Sequence, residues 1–412
     1  MVATRSLSRS SLHQARFFQP RVPAFWLYVV VVALTGIVAI AEQNLFREMS
    51  PGGWILSWGL VIFYAAPVAV LVYLLDLYER EPIPLLIAAF VWGAVAATTL
   101  AAIGNAGWGI VVARLAGPEF ASRWTAALTA PFVEETLKGV GVVLIVLIAR
   151  DEVDDVMDGF VYGALCGLGF TVVEDVFYFI AVFGGDVGGV LRGFFVRVIA
   201  SGLYSHVLYT GLIGMAIAIV TTRRDDRPLR DRRRLAGLLV GAAVFGHFLW
   251  NSPILEFFPA QPWKGSDWFV IPVATAVKGL PLLLFVVLAI RLARARERRW
   301  LHETLASELE DAVTPYELAI LESPRLRFRA RRELRRRAGK RAAELLKRLH
   351  REQVNLAMIR SRVASDVDPA LLRQREVCRS LRDALEAIPG ASFALRPGGS
   401  GGSRADRIGP VG

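Results

Sequence analysis

Residues 131–149 read Pro-Phe-Val-Glu-Glu-Thr-Leu-Lys-Gly-Val-Gly-Val-Val-Leu-Ile-Val-Leu-Ile-Ala. The stretch is apolar enough to belong to a membrane-spanning helix, yet it carries two adjacent carboxylates and a lysine. Ionisable groups at membrane depth cost several kcal/mol and persist mainly where they are paired or functional. The rest of the chain must therefore supply partners for Glu134, Glu135 and Lys138.

Membrane-spanning helices are predicted over much of the chain, because apolar runs of about 20 residues recur from Phe25 to Ile290. Of the 412 residues, 54% are hydrophobic. We predict about eight spans by the length rule. They lie near residues 25–41, 54–75, 84–106, 125–149, 157–183, 196–220, 235–251 and 268–290. Residues 108–124 are predicted to form a mixed loop between the third and fourth spans. The predicted fold class is an all-α, polytopic transmembrane bundle.

The distribution of charge predicts the orientation of this bundle. Most of the net charge of +11 follows Arg291, and loop 221–234 is also strongly basic. Lys and Arg in short loops mark the cytoplasmic side, so both termini are predicted to be cytoplasmic, as an even number of spans requires. The basic start, followed by a long apolar run, favours an uncleaved signal anchor over a cleaved signal peptide.

Four regions are predicted along the chain. They are a basic N-terminal segment (1–24), a transmembrane domain (25–293), a basic helical region (294–396) and a disordered tail (397–412). Thr314-Pro-Tyr-Glu317 and Asp368-Pro369 are typical helix starts. The two cysteines cannot form a disulfide framework or a cysteine metal site. The basic region could contact anionic lipid headgroups or could simply be a cytoplasmic basic domain. Nucleic-acid binding has no support beyond the charge.

The polar residues within 131–149 share one helix face. Lys138 is four residues from Glu134 and three from Glu135, so both carboxylates lie within its reach. One lysine beside two carboxylates can keep one of them ionised, which suits general acid–base chemistry. A structural ion pair that joins helices explains the same pattern, and the motif alone does not decide between the two.

Further polar residues lie in later spans at a similar depth. Glu174 is in the fifth, His206 in the sixth, and His247 with Asn251 in the seventh. At 1.5 Å per residue, Glu135, Glu174 and His206 lie about 14–15 Å below the outer surface, so we expect one cluster. Each has a structural alternative: Glu174 as a hydrogen-bond partner between helices, His206 as a satisfied core histidine, and Asn251 as a helix end signal before a proline.

The cluster predicts hydrolytic chemistry. Two histidines and one carboxylate with an open fourth position are a common catalytic zinc set, which Glu174, His206 and His247 can supply. Glu134 or Glu135 would then be the base that activates water. A metal-free variant is also open, in which a glutamate activates water while the histidines and Asn251 stabilise the oxyanion.

These residues resemble the PrsW family of intramembrane proteases, distant relatives of the CAAX prenyl proteases. The resemblance covers about residues 60–255. Its motifs, in order, are the acidic-Pro loop at residues 76–82, Glu134-Glu135-x-x-Lys138, the block from Asp158-Gly159 through Glu174-Asp175 to Tyr178, Ser205-His206, and His247-Phe-Leu-Trp-Asn251. Asp175 stands where the family commonly has Asn.

The resemblance implies an intramembrane peptidase of the bacterial plasma membrane. Its active-site set would be Glu134, Glu135, Glu174, His206 and His247, usually with a divalent metal, although glutamate proteases have been argued for its relatives. The substrate would be a membrane-anchored protein, such as an anti-sigma-type regulator, cleaved toward the outer side. Two other hypotheses stay open: a transporter or scaffold that uses the carboxylates as an ion relay, and a binding module built on the basic region.

Overall fold

Helices account for nearly all of the structure. The computed structural model describes residues 17–76, 81–150, 152–199, 206–222, 227–254, 272–309, 312–363 and 365–391. Within these ranges there is no β-strand, and two residues, Leu309 and Val313, form an isolated bridge. The predicted all-α fold class is therefore confirmed.

The apolar part of the chain contains nine helices within the described ranges. They are α1 (Pro23–Met49), α2 (Pro51–Leu75), α3 (Ile83–Ala116), α4 (Pro118–Ile148), α5 (Val156–Val182), α6 (Val187–Phe194, continued by a π-helical turn at Phe195–Ile199), α7 (His206–Thr221), α8 (Leu229–Asn251) and α9 (Pro272–Ala306). Several begin with proline, whose fixed φ suits the first helical turn and whose missing N–H has no helical partner there.

Five of these helices are long and apolar enough to cross a membrane, namely α1, α2, α3, α5 and α9. The chain is thus a multi-pass membrane protein. Helix α7 is apolar but shorter, and α4 carries three charged residues in its apolar half. The count of eight spans stays a prediction. Of the predicted span 196–220, residues 200–205 lie outside the described residues, and Ser205 is among them.

The predicted loop at residues 108–124 is wrong. Helix α3 continues to Ala116 and α4 begins at Pro118, so one residue separates them. That residue is Gly117, whose φ of +90° is readily adopted only by glycine. Arg114 and Arg123, which suggested a loop, lie on the helices that flank this turn.

Glycines allow α5 and α7 to pack backbone against backbone. Gly159, Gly163 and Gly167 are one turn apart on α5, and each lies against a carbonyl group of α7. A methyl group at Gly163 would clash with the Thr210 carbonyl oxygen, and one at Gly167 would clash with that of His206. Small residues permit such close approach between membrane helices, where van der Waals packing is a main source of association.

A π-helical turn in α3 fixes this helix against α4 and α5. The turn covers Trp92–Ala97, and the Trp92 indole donates a hydrogen bond to the Leu137 carbonyl at 2.9 Å. Gly93 lies directly against the Cys166 backbone of α5. The contact at Leu137 places α3 beside the charged part of α4.

Residues from Arg294 onward belong to a second compact unit. Its helices are α10 (Pro315–Leu321), α11 (Pro324–Arg362, broken at Gly339) and α12 (Pro369–Glu386). The helix starts predicted at Thr314 and Asp368 are confirmed: Thr314 forms a capping box with Glu317, and the Asp368 side chain accepts from the Ala370 amide. Residues 397–412, predicted to be disordered, lie outside the described residues.

Buried ion pairs hold this second unit together. Arg375 pairs with Glu308 at 2.7 Å, and Arg382 pairs with Glu317 at 2.7 Å; both carboxylates are buried. Burial and neighbouring arginines lower the pKa of His350 to about 3, so this imidazole is neutral at pH 7. The ion pairs of Glu308 and Glu317 with arginines therefore stabilise this unit in addition to its apolar core.

Replacement of Gly163 by Ala tests the close packing of α5 on α7. The added methyl group has no space, so we expect a loss of about 1–3 kcal/mol and a lower thermal unfolding midpoint in detergent. The matched control is Gly241→Ala on α8, where no atom lies within 4 Å of the new methyl group. There the change should be neutral or should stabilise by about 0.5–1 kcal/mol. Equal midpoints for the two variants would contradict the packing.

Candidate active site

One buried lysine forms the centre of the site. Lys138 is fully buried, and its Nζ lies 2.6 Å from Glu135 Oε1 and 3.5 Å from Glu134 Oε2. The ammonium also donates to His206 Nδ1 at 2.8 Å and lies 4.2 Å from the centre of the Phe170 ring. A single cation therefore stabilises both carboxylates of α4 and fixes the position of a histidine from α7.

His206 is the first described residue of α7, and both of its ring nitrogens are engaged. Because Nδ1 accepts from Lys138, Nε2 carries the proton and donates to Glu174 Oε2 at 3.1 Å. Nδ1 also lies 3.7 Å from Glu134 Oε2 and 3.7 Å from Glu135 Oε1. The imidazole thus connects the carboxylate of α5 with the pair on α4.

His247 reaches the same carboxylates from α8. Its Nδ1–H donates to Glu135 Oε1 at 3.1 Å, and its Nε2 lies 3.8 Å from Glu134 Oε2. The Tyr209 ring stacks on the imidazole, with centroids 4.8 Å apart and planes 5° apart. The hydrogen bond sets the tautomer and the stacking sets the plane, so Nε2 is held toward Glu134.

The two adjacent carboxylates have different surroundings. Glu135 accepts hydrogen bonds from Lys138, from His247 and, at 2.9 Å, from the Thr210 hydroxyl. Glu134 Oε1 accepts from Asn105 Nδ2 at 3.0 Å, whereas its Oε2 has no hydrogen-bond partner among the described residues. Both oxygens of Glu135 are therefore engaged, while Glu134 keeps one buried oxygen without a hydrogen-bond partner among the described residues.

A cavity of about 880 Å³ opens onto the site. Its lining includes Glu134, Glu174, His206, His247 and Asn251, whereas Glu135 and Lys138 do not line it. The Glu134 side chain therefore lines a space that a substrate could enter.

Glu174 is held by an arginine that the sequence analysis did not identify. Arg197, in the π-helical turn after α6, donates to Glu174 Oε2 at 2.6 Å and to Asp175 Oδ1 at 2.5 Å. Its guanidinium lies 3.8 Å from the centre of the Tyr178 ring. Asp175 is thus the partner of a cation, which explains how a second carboxylate can be buried beside Glu174.

The structure brings together most of the predicted site residues. The donor atoms of Glu134, Glu135, His206 and His247 lie within 4.8 Å of one another, and Lys138 contacts the first three of these residues. Glu174 joins them through His206. Asn251 lines the cavity, but its amide donates to the Ala126 carbonyl at 3.3 Å and not to His247.

Several contacting residues were missed by the sequence analysis. An arginine within the apolar run Phe195-Val-Arg-Val-Ile199 is a signal that could have been used, because a cation there needs a carboxylate partner. Asn105 in an Ala- and Gly-rich stretch is a weaker signal of the same kind. Thr210 and Tyr209 carry no such signal, because hydroxyl and aromatic side chains are common in membrane helices.

The donor set has the chemistry of a metal site. Glu134, Glu135, His206 and His247 each offer an oxygen or an imidazole nitrogen, and these atoms lie within 4.8 Å of one another. All four residues are buried. Glu174, predicted as a metal ligand, is outside this group: it accepts from His206 and from Arg197.

Comparison with known proteins supplies one match. Residues 81–291 match the family model described as PrsW family intramembrane metalloprotease, which is just over half of the chain. The matched range contains all four residues of the buried Glu/His group as well as Lys138 and Glu174. No curated protein and no solved structure matches the chain.

Substitution of Arg197 by Gln tests the charge balance at α5. The change leaves the buried Asp175 and the partly buried Glu174 as neighbouring carboxylates without their cation, so we expect a loss of about 2 kcal/mol or more. Asp175→Asn in the same chain removes one of the two negative charges and should recover part of the thermal unfolding midpoint. A double variant no more stable than Arg197→Gln alone would show that the pair with Asp175 is unimportant.

Proposed function

The chain belongs to the PrsW family of intramembrane metalloproteases, and we propose that it hydrolyses a peptide bond of a membrane-associated protein with water activated by Glu134. The observation that carries this assignment is the buried Oε2 of Glu134. Glu134 lines the cavity, and its Oε2 has no hydrogen-bond partner among the described residues and lies within 3.8 Å of Lys138 and both histidines.

In this proposal Glu134 is the general base. It accepts a proton from water as the water oxygen adds to the scissile carbonyl carbon, and it passes the proton to the leaving amine as the C–N bond breaks. Asn105 donates to the other oxygen of the same carboxylate, which fixes the orientation of this side chain beside the cavity. Glu135 cannot take this role as readily, because Lys138, Thr210 and His247 already use its oxygens.

The remaining polar residues orient the two histidines. Glu135 fixes His247 through Nδ1, and Glu174 fixes His206 through Nε2. Each imidazole thus has one nitrogen held by a carboxylate, while its other nitrogen lies 3.7–3.8 Å from Glu134 Oε2. Carboxylate partners of this kind are usual for metal-binding histidines and fix both the tautomer and the ring orientation.

The residues present fit a divalent metal. His206 and His247 would hold it through Nδ1 and Nε2, the ring nitrogens that carry no proton, and Glu135 would supply the carboxylate, because Glu135 Oε1 lies 3.7 Å from His206 Nδ1 and the donor atoms of the group lie within 4.8 Å of one another. Oxygen and imidazole donors are common zinc ligands. A bound zinc ion supplies Lewis acidity that makes a water molecule a stronger nucleophile near neutral pH. Glu134 then stays available to take the proton of that water.

Lys138 favours a second, metal-free mechanism at the same site. Its ammonium already contacts Glu135 and His206 Nδ1, which are donors that a metal would also use. In that mechanism Glu134 activates the water, and the histidines and Asn251, which line the cavity, stabilise the oxyanion. The metal content of the protein distinguishes the two mechanisms.

Location and orientation follow from the distribution of charge. We place the enzyme in the bacterial plasma membrane with both termini in the cytoplasm, because loop 221–234 and the segment after Arg291 are rich in arginine. The site would then lie toward the outer leaflet, and its substrate would be a membrane-anchored protein, such as an anti-sigma-type regulator, cleaved on that side.

The basic region, residues 294–396, is proposed to contact anionic lipid. Its helix α11 exposes a series of cationic side chains, including Arg325, Arg329, Arg332, Arg335 and Arg336. Cations near a negatively charged membrane surface each contribute about 1 kcal/mol of attraction.

Amide substitutions separate the roles of the two glutamates. Glu134→Gln keeps the acceptor for Asn105 but cannot take a proton, so we expect cleavage to fall by about 100-fold or more, with little change in the thermal unfolding midpoint. Glu135→Gln should lose cleavage and also stability, because Lys138 loses its closest counter-ion. Substrates are found by proteomics of membrane proteins that accumulate uncleaved in the variant strains.

The matched control is Glu48→Gln, an exposed glutamate in the last turn of α1. It should keep both activity and stability. Full activity in Glu134→Gln would overturn the assignment of the base. Full activity in both Glu134→Gln and Glu135→Gln would overturn the peptidase site.

Elemental analysis of the purified chain tests the metal. We expect about one zinc ion per chain in the wild type, and none in the His206→Ala/His247→Ala double variant. The readout is the metal content by mass spectrometry, which does not depend on activity. Equal metal content in the two proteins would show that these histidines are not ligands. A wild type that cleaves its substrate without bound metal would favour the metal-free mechanism based on Lys138.

A further inference from the structure

Several buried polar atoms around the cavity have no hydrogen-bond partner among the described residues. They are Asn105 Oδ1, Thr125 Oγ1, Glu134 Oε2 and Asp175 Oδ2, and their four residues all line the cavity. Glu134 and Asp175 are at most 3% exposed. Buried polar atoms are nearly always hydrogen-bonded in native proteins, so a group of exceptions around one space points to a polar ligand.

Two of these atoms belong to Asn105 on α3 and Thr125 on α4, which line the side of the cavity that these two helices border and that we call the groove. Gly104 contacts Val133 and Gly109 approaches Thr125, so the helices run antiparallel. The α4 side of the groove has no residue larger than threonine before Glu134. It consists of Ala121, Ser122, Thr125, Ala126, Thr129 and Ala130. The spacing places them on one helix face, which leaves room for another chain beside α4.

The dimensions of the groove fit an extended peptide. Thr125 and Glu134 are nine residues apart on α4, which is about 13–14 Å along the helix axis. An extended strand covers this distance with about four residues. Thr125 therefore lies about four residues of an extended substrate away from the bond that would be cleaved at Glu134. Asn105 contacts Glu134 and lies next to that bond.

The unpartnered oxygens of Asn105 and Thr125 can bind the backbone of an unwound substrate segment but not that of a helical one. In the middle of an α-helix every amide N–H is already bonded to a carbonyl of the same helix, so none is available for Asn105 or Thr125. A segment that unwinds in an apolar environment exposes N–H groups, and each costs several kcal/mol until it finds an acceptor. The two side-chain oxygens are acceptors of this kind.

We propose that Asn105 and Thr125 form a subsite that binds the backbone of an extended substrate segment on its way to Glu134. Asn105 Oδ1 and Thr125 Oγ1 accept amide N–H groups of the substrate, while Asn105 Nδ2 keeps Glu134 in position. The subsite rests on the proposed peptidase function and specifies its substrate: a membrane-spanning segment that is locally unwound near the scissile bond.

Binding to the full-length Glu134→Gln protein tests the subsite without hydrolysis. The probe is a fluorescein-labelled peptide of alternating Ala and Leu with lysines at both ends, measured by fluorescence anisotropy in detergent. Adding Thr125→Val should weaken binding by about three- to tenfold, the value of one hydrogen bond. Adding Asn105→Ala should weaken it at least as much. A peptide N-methylated at every second amide should bind more weakly to the parent protein and should show little further loss with Thr125→Val.

The matched control is Thr35→Val, a buried helical threonine whose hydroxyl donates to the Val31 carbonyl of its own helix and which does not line the cavity. It should leave affinity unchanged. Thr125→Val removes a hydroxyl that has no partner, so its thermal unfolding midpoint should not fall. A structural role for Thr125 would instead lower this midpoint.

Separate outcomes overturn the subsite and the peptidase function. Equal affinity of the parent protein and Thr125→Val, or no binding of the peptide to the parent protein, would overturn the subsite. Cleavage of membrane proteins by the wild type together with unchanged binding by Thr125→Val would overturn the subsite alone. Binding that depends on Thr125, in a wild type that cleaves no membrane protein, would support the subsite and overturn the peptidase function.

Discussion

The ion pair between Lys138 and Glu135 is the constraint on which the rest of the site depends. Two adjacent carboxylates in an apolar helix repel each other and are poorly solvated, so a cation must lie beside them. Lys138 meets this need from one turn further along the same helix, with no solvent exposure. Its ammonium also donates to His206, so the lysine that neutralises the carboxylates also fixes a histidine from another helix. Stability and chemistry therefore depend on the same side chain.

The difference between Glu134 and Glu135 comes from the neighbours that each one faces. Both oxygens of Glu135 accept hydrogen bonds, from Lys138, Thr210 and His247, whereas Glu134 lines the cavity and has one oxygen without a hydrogen-bond partner among the described residues. Two identical side chains in consecutive positions thus acquire different roles, because the helix turns by about 100° from one residue to the next.

The sequence predicts which helices meet at the site better than it predicts contacts around a helix. Counting residues from the ends of the predicted spans leads to the expectation that Glu135, Glu174 and His206 form one cluster, because the rise per residue is constant, and these side chains do meet in the structure. The partner of each group depends on how neighbouring helices are rotated, which no single helix encodes, so Arg197 and Asn105 were missed. The turn at Gly117 was missed for another reason: polar residues on exposed helix faces resembled a loop.

Gly167 of α5 lies against the carbonyl of His206, and this close approach limits which substitutions the protein can accept at position 167. The histidine is positioned at its backbone by a residue that contributes no side chain. A larger residue at 167 would displace α7 and the imidazole with it, while every carboxylate, histidine and lysine of the site stayed in the sequence. Inactive natural variants of this chain should therefore include some whose reactive groups are all intact, and inspecting those groups alone would not recognise them as inactive.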